Sequence, residues 1–239
     1  MKKSKKIKRY YTALNRIRKS RGFGIHSPFA FRFVLKVLKE RLPYYAYERI
    51  DACHKEIKAM SKERGIKHPK IMSLKDAKMM FRITNFFNPK EILQIGTNYG
   101  ISTVALLSVS SKSKLHICNI QPSQFDFFAK STEKMADRIN KFSSAEHCIE
   151  NYSNSADMPF IVINDIDDTS YQYASRLIDK FISSKCTIIV SCICKKELGE
   201  EIWEETKSKL TGGMSFSNGK FGVVVCNPKL PVQHFSLWF

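Results

Sequence analysis

From Glu91 to Ser191 the chain alternates short β-branched, apolar runs with amphipathic stretches. Ile92 to Ile95, Lys114 to Cys118, Glu146 to Ile149, Phe160 to Asn164 and Thr187 to Ser191 read as strands. Ser102 to Ser108, Ser123 to Phe142, Ser170 to Ile182 and Lys196 to Leu210 read as helices. Such alternation predicts parallel βαβ units. The C-terminal end differs: Met214 to Ser217 and Phe221 to Cys226 flank Asn218-Gly219, a strong hairpin signal, and His234 to Phe239 is a further strand candidate.

The first 88 residues carry helical signals instead. Ser27 followed by Pro28 fits a capped helix start, and Phe29 to Leu42 reads as the helix. Tyr44 to Arg64 is a further helical stretch that stops at Gly65, and Ser73-Leu74-Lys75-Asp76 opens another through Phe87, ended by Asn88-Pro89. The expected organisation is a helical extension over residues 1–70 and an α/β domain over 71–239.

Charge divides the chain in the same place. Of 239 residues, 40 are Lys or Arg and 22 Asp or Glu, a formal charge of +18; residues 1–70 hold 21 of the bases and five of the acids. The positive field therefore belongs to the N-terminal segment, densest over residues 2–21. Ile7, Tyr10, Leu14 and Ile17 recur there at helical spacing. Three readings stay open: an arm solvated or docked on its own domain, a contact to nucleic acid, or a contact to an anionic membrane surface.

At 43% hydrophobic and 26% charged residues the chain has the balance of a globular protein, which excludes collagen-like and wholly disordered classes. No apolar run is long enough to cross a bilayer, and the lysine-rich start leads into Tyr10 and Tyr11 rather than an apolar signal core, so a cytoplasmic protein is expected. Seven cysteines, none in C-x-x-C pairs, argue against a disulfide framework and a zinc site. Most lie in apolar stretches as small buried hydrophobes, while Cys192-Ile193-Cys194 keeps a redox or metal reading.

The most informative segment is Glu91-Ile92-Leu93-Gln94-Ile95-Gly96-Thr97-Asn98-Tyr99-Gly100-Ile101-Ser102-Thr103. A buried strand running into Gly96, with Gly100 four residues on, describes a tight turn at the carboxyl edge of a sheet, where ligands bind. Its spacing is G-x-x-x-G rather than the G-x-G-x-x-G of dinucleotide folds, and a plain strand-to-helix turn fits the spacing too.

This segment resembles the first motif of the class I S-adenosylmethionine-dependent methyltransferases, approximately E-I-G-x-x-x-G-x-S-T. Gly24 to Phe29, Phe86 to Leu93, Trp203 and His234-Phe235 are similar to a Bacteroidetes-type methyltransferase-like family with an N-terminal helical extension. The resemblance implies a Rossmann-like, mostly parallel seven-stranded sheet with a C-terminal antiparallel hairpin. It also implies S-adenosylmethionine as cofactor and a methyl acceptor it does not identify. By that resemblance Gln94, Gly96, Thr97, Asn98, Gly100, Ser102 and Thr103 would hold the cofactor. Asn119 falls where the ribose-gripping acid stands, and His26 would cover the pocket. Asp165 matches the acid ending the fourth strand and is the candidate catalytic residue.

Three departures qualify this. Gln94 replaces the first-motif acid, Asn119 the ribose acid, and Ser191-Cys192 an acidic pair after the fifth strand. Asp165, Asp167 and Asp168 alone are too local a set for a metal, so none is expected. Asp168 or Thr169 would serve equally to cap the next helix. Two functions remain: methyl transfer to an oxygen or nitrogen, or a catalytically degenerate relative acting as a binding or scaffold module, with nucleic acid reached through residues 2–21.

Overall fold

The computed structural model describes residues 25–66, 71–118, 120–155, 158–191, 193 and 197–239. The basic stretch 2–21, Asn119, Cys192 and Cys194 lie outside them.

Helix α1 (Pro28–Phe33) starts as its sequence dictates: the Ser27 hydroxyl accepts the Ala30 N–H at 3.3 Å, and proline fills the first turn, where no amide is needed. It continues as a wide π turn over Val34–Leu38, not to Leu42. The Glu40 carboxylate accepts the amides of Arg41 and Leu42 at 2.8 and 3.0 Å and turns the chain away. Helices α2 (Ala46–Glu63) and α3 (Leu74–Phe87) follow; the Ser73 hydroxyl caps α3 on the Asp76 amide at 3.1 Å, and Asn88, left-handed at φ 45°, ends it.

The strands are β1 (Glu91–Ile95), β2 (Lys114–Cys118), β3 (Ile139–Lys141), β4 (Phe160–Ile163), β5 (Cys186–Val190), β6 (Gly213–Ser217), β7 (Gly222–Cys226) and β8 (Gln233–Ser236). Between them run α4 (Ile101–Leu107), α5 (Phe125–Thr132), α6 (Ala145–Ser155), α7 (Asp168–Phe181) and α8 (Glu197–Ser208). Sheet order is β3-β2-β1-β4-β5-β7-β6-β8, parallel from β3 to β5 and antiparallel at β5–β7 and β7–β6. β1 thus lies between β2 and β4, and the chain reverses direction across the sheet at the carboxyl ends of β1 and β4.

Two expectations are corrected. The sheet has eight strands, because Gln233–Ser236 adds to β6 in parallel, with Ser215 opposite His234. Glu146 to Ile149 is helix: the Ser144 hydroxyl accepts the His147 amide at 3.4 Å, and Ala145, Cys148 and Tyr152 bury one face at helical spacing. The third strand is instead Ile139–Lys141, so the helix expected over Ser123 to Phe142 stops at Thr132 and tightens into a 3-10 turn before pairing with β2.

Alternate strand residues serve two apolar layers. Ile92, Ile117, Val162, Ile189 and Phe216 face α1–α5, while Leu93, Ile161, Ile188 and Val224 face α6–α8. The N-terminal helices are part of the first layer: Phe33 is wholly buried, its ring 5.0 Å from that of Phe216 and 5.5 Å from Phe86. The described cysteines 53, 118, 148, 186 and 226 are reduced and buried. Among the described residues no helix is long and apolar enough to cross a membrane.

Candidate functional site

The turn after β1 departs from ordinary backbone. Gly96 has φ +72°, and a Cβ there would lie 3.0 Å from both the amide nitrogen and the carbonyl oxygen of Asp165, so the loops after β1 and β4 meet backbone to backbone. Asn98, Tyr99 and Gly100 then take φ 48°, 63° and 100° in succession. Left-handed backbone costs a residue such as Tyr about 1 to 3 kcal/mol, and it persists only where surrounding bonds determine it.

Those bonds are present. Asn98 is 2% exposed; its Oδ1 accepts the Met72 amide at 2.5 Å and its Nδ2 donates to Asp165 Oδ1 at 3.3 Å. The Tyr99 amide and the Thr97 hydroxyl both donate to Gln124 Oε1, at 2.9 and 2.7 Å, so a side chain from the β2–α5 connection braces the turn. The Gly100 amide closes on Thr97 O at 2.9 Å, and Ser131 occupies the space a Cβ on Gly100 would need.

Beneath the turn lies a network of neutral side chains. Gln94 Nε2 donates to Gly96 O at 2.7 Å and to Ser102 Oγ at 2.8 Å, and its Oε1 accepts the Thr103 hydroxyl at 2.9 Å. Asn164 Nδ2 donates to Gly96 O at 2.9 Å, and Asn164 Oδ1 accepts the Ser191 hydroxyl at 2.7 Å. Gln94, Ser102, Thr103 and Asn164 have no exposed surface. They knit β1, α4, β4 and the end of β5 together, with every amide proton and hydroxyl directed at protein.

Tyr99, Asp165 and Ser191, which follow β1, β4 and β5, are half-buried. Burial, and after it the negative charge of Asp165, holds the Tyr99 phenol above the usual tyrosine range, so phenol and carboxylate share one local field. The Tyr99 ring stands edge-on to Phe127, centroids 5.2 Å apart, and the Arg64 guanidinium lies 4.9 Å above Phe127.

Of the residues singled out in the sequence, Gln94, Gly96, Thr97, Asn98, Gly100, Ser102, Thr103 and Asp165 are brought together. His26 is exposed one residue before the α1 cap and takes no part in these bonds. Asn119 lies outside the described residues. Neither Asp168 nor Thr169 caps α7: Asp167 Oδ1 accepts the Ser170 amide at 2.8 Å in a reciprocal capping box. Among the described residues no three His, Cys, Asp or Glu side chains converge on a common point. Tyr99, Gln124 and Asn164 were not evident beforehand. Asn164 precedes Asp165 and Tyr99 precedes Gly100, but nothing local links Gln124 to the turn.

No family model and no curated protein matches this sequence. Solved structures do match it. An O-methyltransferase from Bacillus cereus in complex with S-adenosylhomocysteine superposes with a TM-score of 0.54 at 16% identity, over 79% of this chain and 94% of that one. An S-adenosylhomocysteine-bound methyltransferase from Podospora anserina gives 0.54 at 14% identity, over 84% and 97%. A methyltransferase from Geobacter sulfurreducens gives 0.55 at 11% identity, over 79% and 94%. Likeness at so low an identity is likeness of architecture, and with β1 set between β2 and β4 and an antiparallel hairpin at the C-terminal end, the chain has the Rossmann-like fold of the class I methyltransferases.

Proposed function

We propose that the chain is an S-adenosylmethionine-dependent methyltransferase, acting on an oxygen or nitrogen acceptor at the carboxyl ends of β1 and β4. The observation that carries this reading is the position of Asp165, anchored by Asn98 across the Gly96 turn with the Tyr99 phenol in the same field. A carboxylate beside an aromatic ring suits a cationic sulfonium, through charge and through the ring face. The donor set therefore fits the positive end of the cofactor. Bound there, the cofactor supplies an electrophilic methyl group.

The protein's own work is alignment, exclusion of water and management of one proton. Asn98 Nδ2 fixes one Asp165 oxygen, and the carboxylate so held would orient the reacting groups or take the proton that an acceptor hydroxyl or amine gives up. The strained turn, held by Gln124 and Met72, keeps that carboxylate in register with the Gly96 backbone. Gly96, Thr97, Asn98 and Gly100 would shape the wall, with Asn119 facing the ribose and His26 over the opening.

A second reading, a non-catalytic binding or scaffold module, is favoured by one feature. The positions that would carry acids hold Gln94 and Ser191, whose polar groups are spent on Gly96, Ser102, Thr103 and Asn164. On that reading residues 2–21 reach nucleic acid, and affinity for RNA falls steeply with salt. A cytoplasmic location, and a division at residue 70 between helical extension and Rossmann-like domain, belong to both readings.

Calorimetric titration with S-adenosylmethionine and S-adenosylhomocysteine separates the two. Methyl transfer requires binding that Asp165→Asn weakens. An empty natural protein in which Asn119→Asp creates binding, by restoring a charged partner for the ribose diol, establishes the scaffold reading. No binding in either protein removes the cofactor assignment and leaves the fold.

A further inference from the structure

A pocket of about 620 Å³ opens between α2 and the start of α3, apart from the network under the glycine turn. One wall is cationic, with His54, Lys58 and Lys62 from successive turns of α2; the other is apolar, with Ile66, Ile71 and Leu74. Among the described residues no carboxylate lines it.

His54 is the informative member. It is 9% exposed, among the described residues its ring makes no hydrogen bond, and its ring nitrogens are not among the buried polar atoms, so they stay accessible. The ring lines the pocket, where a ligand can reach it. Burial, and after it the charge of Lys58, pushes its pKa down while Asp51 acts in the opposite sense, so the imidazole feels a positive field. Lys58 and Lys62 have no ion-pair partner among the described residues. In a segment whose net charge is strongly positive, two ammonium groups without an ion pair among the described residues and an accessible imidazole line one cavity.

The geometry points to a binding site for a small organic anion, its charged head against His54, Lys58 and Lys62 and its apolar body along Ile66, Ile71 and Leu74. The volume lies within the range that encloses a small ligand. An anionic head there can accept a hydrogen bond from the imidazole and meet both lysine charges at once. The pocket also communicates with the turn: Met72, flanked by the lining residues Ile71 and Ser73, donates its amide to Asn98 at 2.5 Å. The inference stands whether or not the turn holds a methyl donor.

The test is an NMR titration of the full chain, with ¹³C-labelled histidine, against three probes: hexanoate, hexyl phosphate and the neutral hexanamide. Expected is a saturable shift of the His54 ring with at least one anion and none with hexanamide, and the anion that binds tells carboxylate from phosphate chemistry. The double variant Lys58→Gln/Lys62→Gln, altered only at exposed positions, should bind that anion about tenfold or more weakly, as loss of two charge-assisted contacts requires. Assignment rests on loss of the signal in His54→Gln, or on the backbone amides of residues 54–62 if that variant does not fold. No saturable response to either anion, equal binding of hexanamide, or unchanged affinity in the lysine double variant overturns the site.

Discussion

Gln94 and Ser102 are joined by a 2.8 Å hydrogen bond from Nε2 to Oγ, and the Ser102 hydroxyl passes its own proton on to Thr97 O at 2.8 Å. The amide at the end of β1 therefore acts as a donor toward the turn. A carboxylate there has no proton to give to Gly96 O or to Ser102, so glutamine is the residue this particular network requires.

Gln94→Glu should accordingly destabilise the protein by about 2 to 4 kcal/mol at neutral pH, because a charge replaces a donor in a site without solvent. The sign of its pH dependence follows. Burial raises the folded-state pKa of the new carboxyl above its unfolded value, so the variant is closest to wild type in acid and loses stability as pH rises through that folded value. Urea denaturation at pH 5 and pH 8 measures the difference, and equal penalties at both would contradict the donor role.

Asp165→Asn should lower the pKa of the Tyr99 phenol, leaving only the part of its elevation due to burial. Alkaline ultraviolet titration, with Tyr99→Phe identifying the transition, reads this directly. The same substitution should reduce S-adenosylhomocysteine affinity by about fivefold to thirtyfold, the worth of one charge-assisted contact. A Tyr99 transition that does not move would separate phenol from carboxylate.

Gly96→Ala should cost about 2 kcal/mol, from a left-handed residue that gains a Cβ and from contact with the Asp165 backbone at 3.0 Å. Thermal melting measures that cost. Binding should suffer beyond the loss of stability, since displacing the 165 backbone moves the carboxylate; a folded Gly96→Ala protein with unchanged affinity would detach the turn from the site.

Between α7 and α8, Glu205 accepts hydrogen bonds from the Tyr171 hydroxyl at 2.9 Å, Ser175 Oγ at 2.5 Å and Lys209 Nζ at 2.6 Å. Burial alone would raise its pKa, but these donors, Lys209 foremost, hold it below the ordinary glutamate value. A depressed pKa contributes stability above the unfolded pKa that is lost as pH falls through the folded one. Glu205→Gln should therefore lower stability by about 1 kcal/mol at pH 7, a figure reduced by solvent screening, and by much less below pH 3. A penalty that persists at low pH would point to packing rather than charge.

Local signals were legible where one segment carries its own reason to fold. Ser27-Pro28 and Ser73 cap their helices from side chain to amide three residues on, Asn218 turns the β6–β7 hairpin on its own carbonyl, and β-branched runs at 92–95 and 187–190 bury on both faces of a parallel sheet. Glu146 to Ile149 is helix although it suggests a strand, because four residues with only Cys148 and Ile149 apolar are too few to tell the strand period from the helical one. The pairing of Ile139 with Leu115, across 24 positions, is what frees that run to be helix.

By itself, then, the sequence determined the alternation of elements, their caps and turns, and the glycine turn at a strand end, since each depends on neighbours a few positions apart. Only the tertiary structure decided what the polar residues of that turn do. Gln124 reaches the Thr97 hydroxyl and the Tyr99 amide from 27 and 25 positions away, and Asn164 reaches Gly96 from 68. The same holds for His54, which lines a pocket whose other wall comes from Ile66, Ile71 and Leu74. Hydrogen bonds between distant segments leave no periodicity in the sequence, because they are made only when folding has excluded the water that would otherwise serve each group equally well.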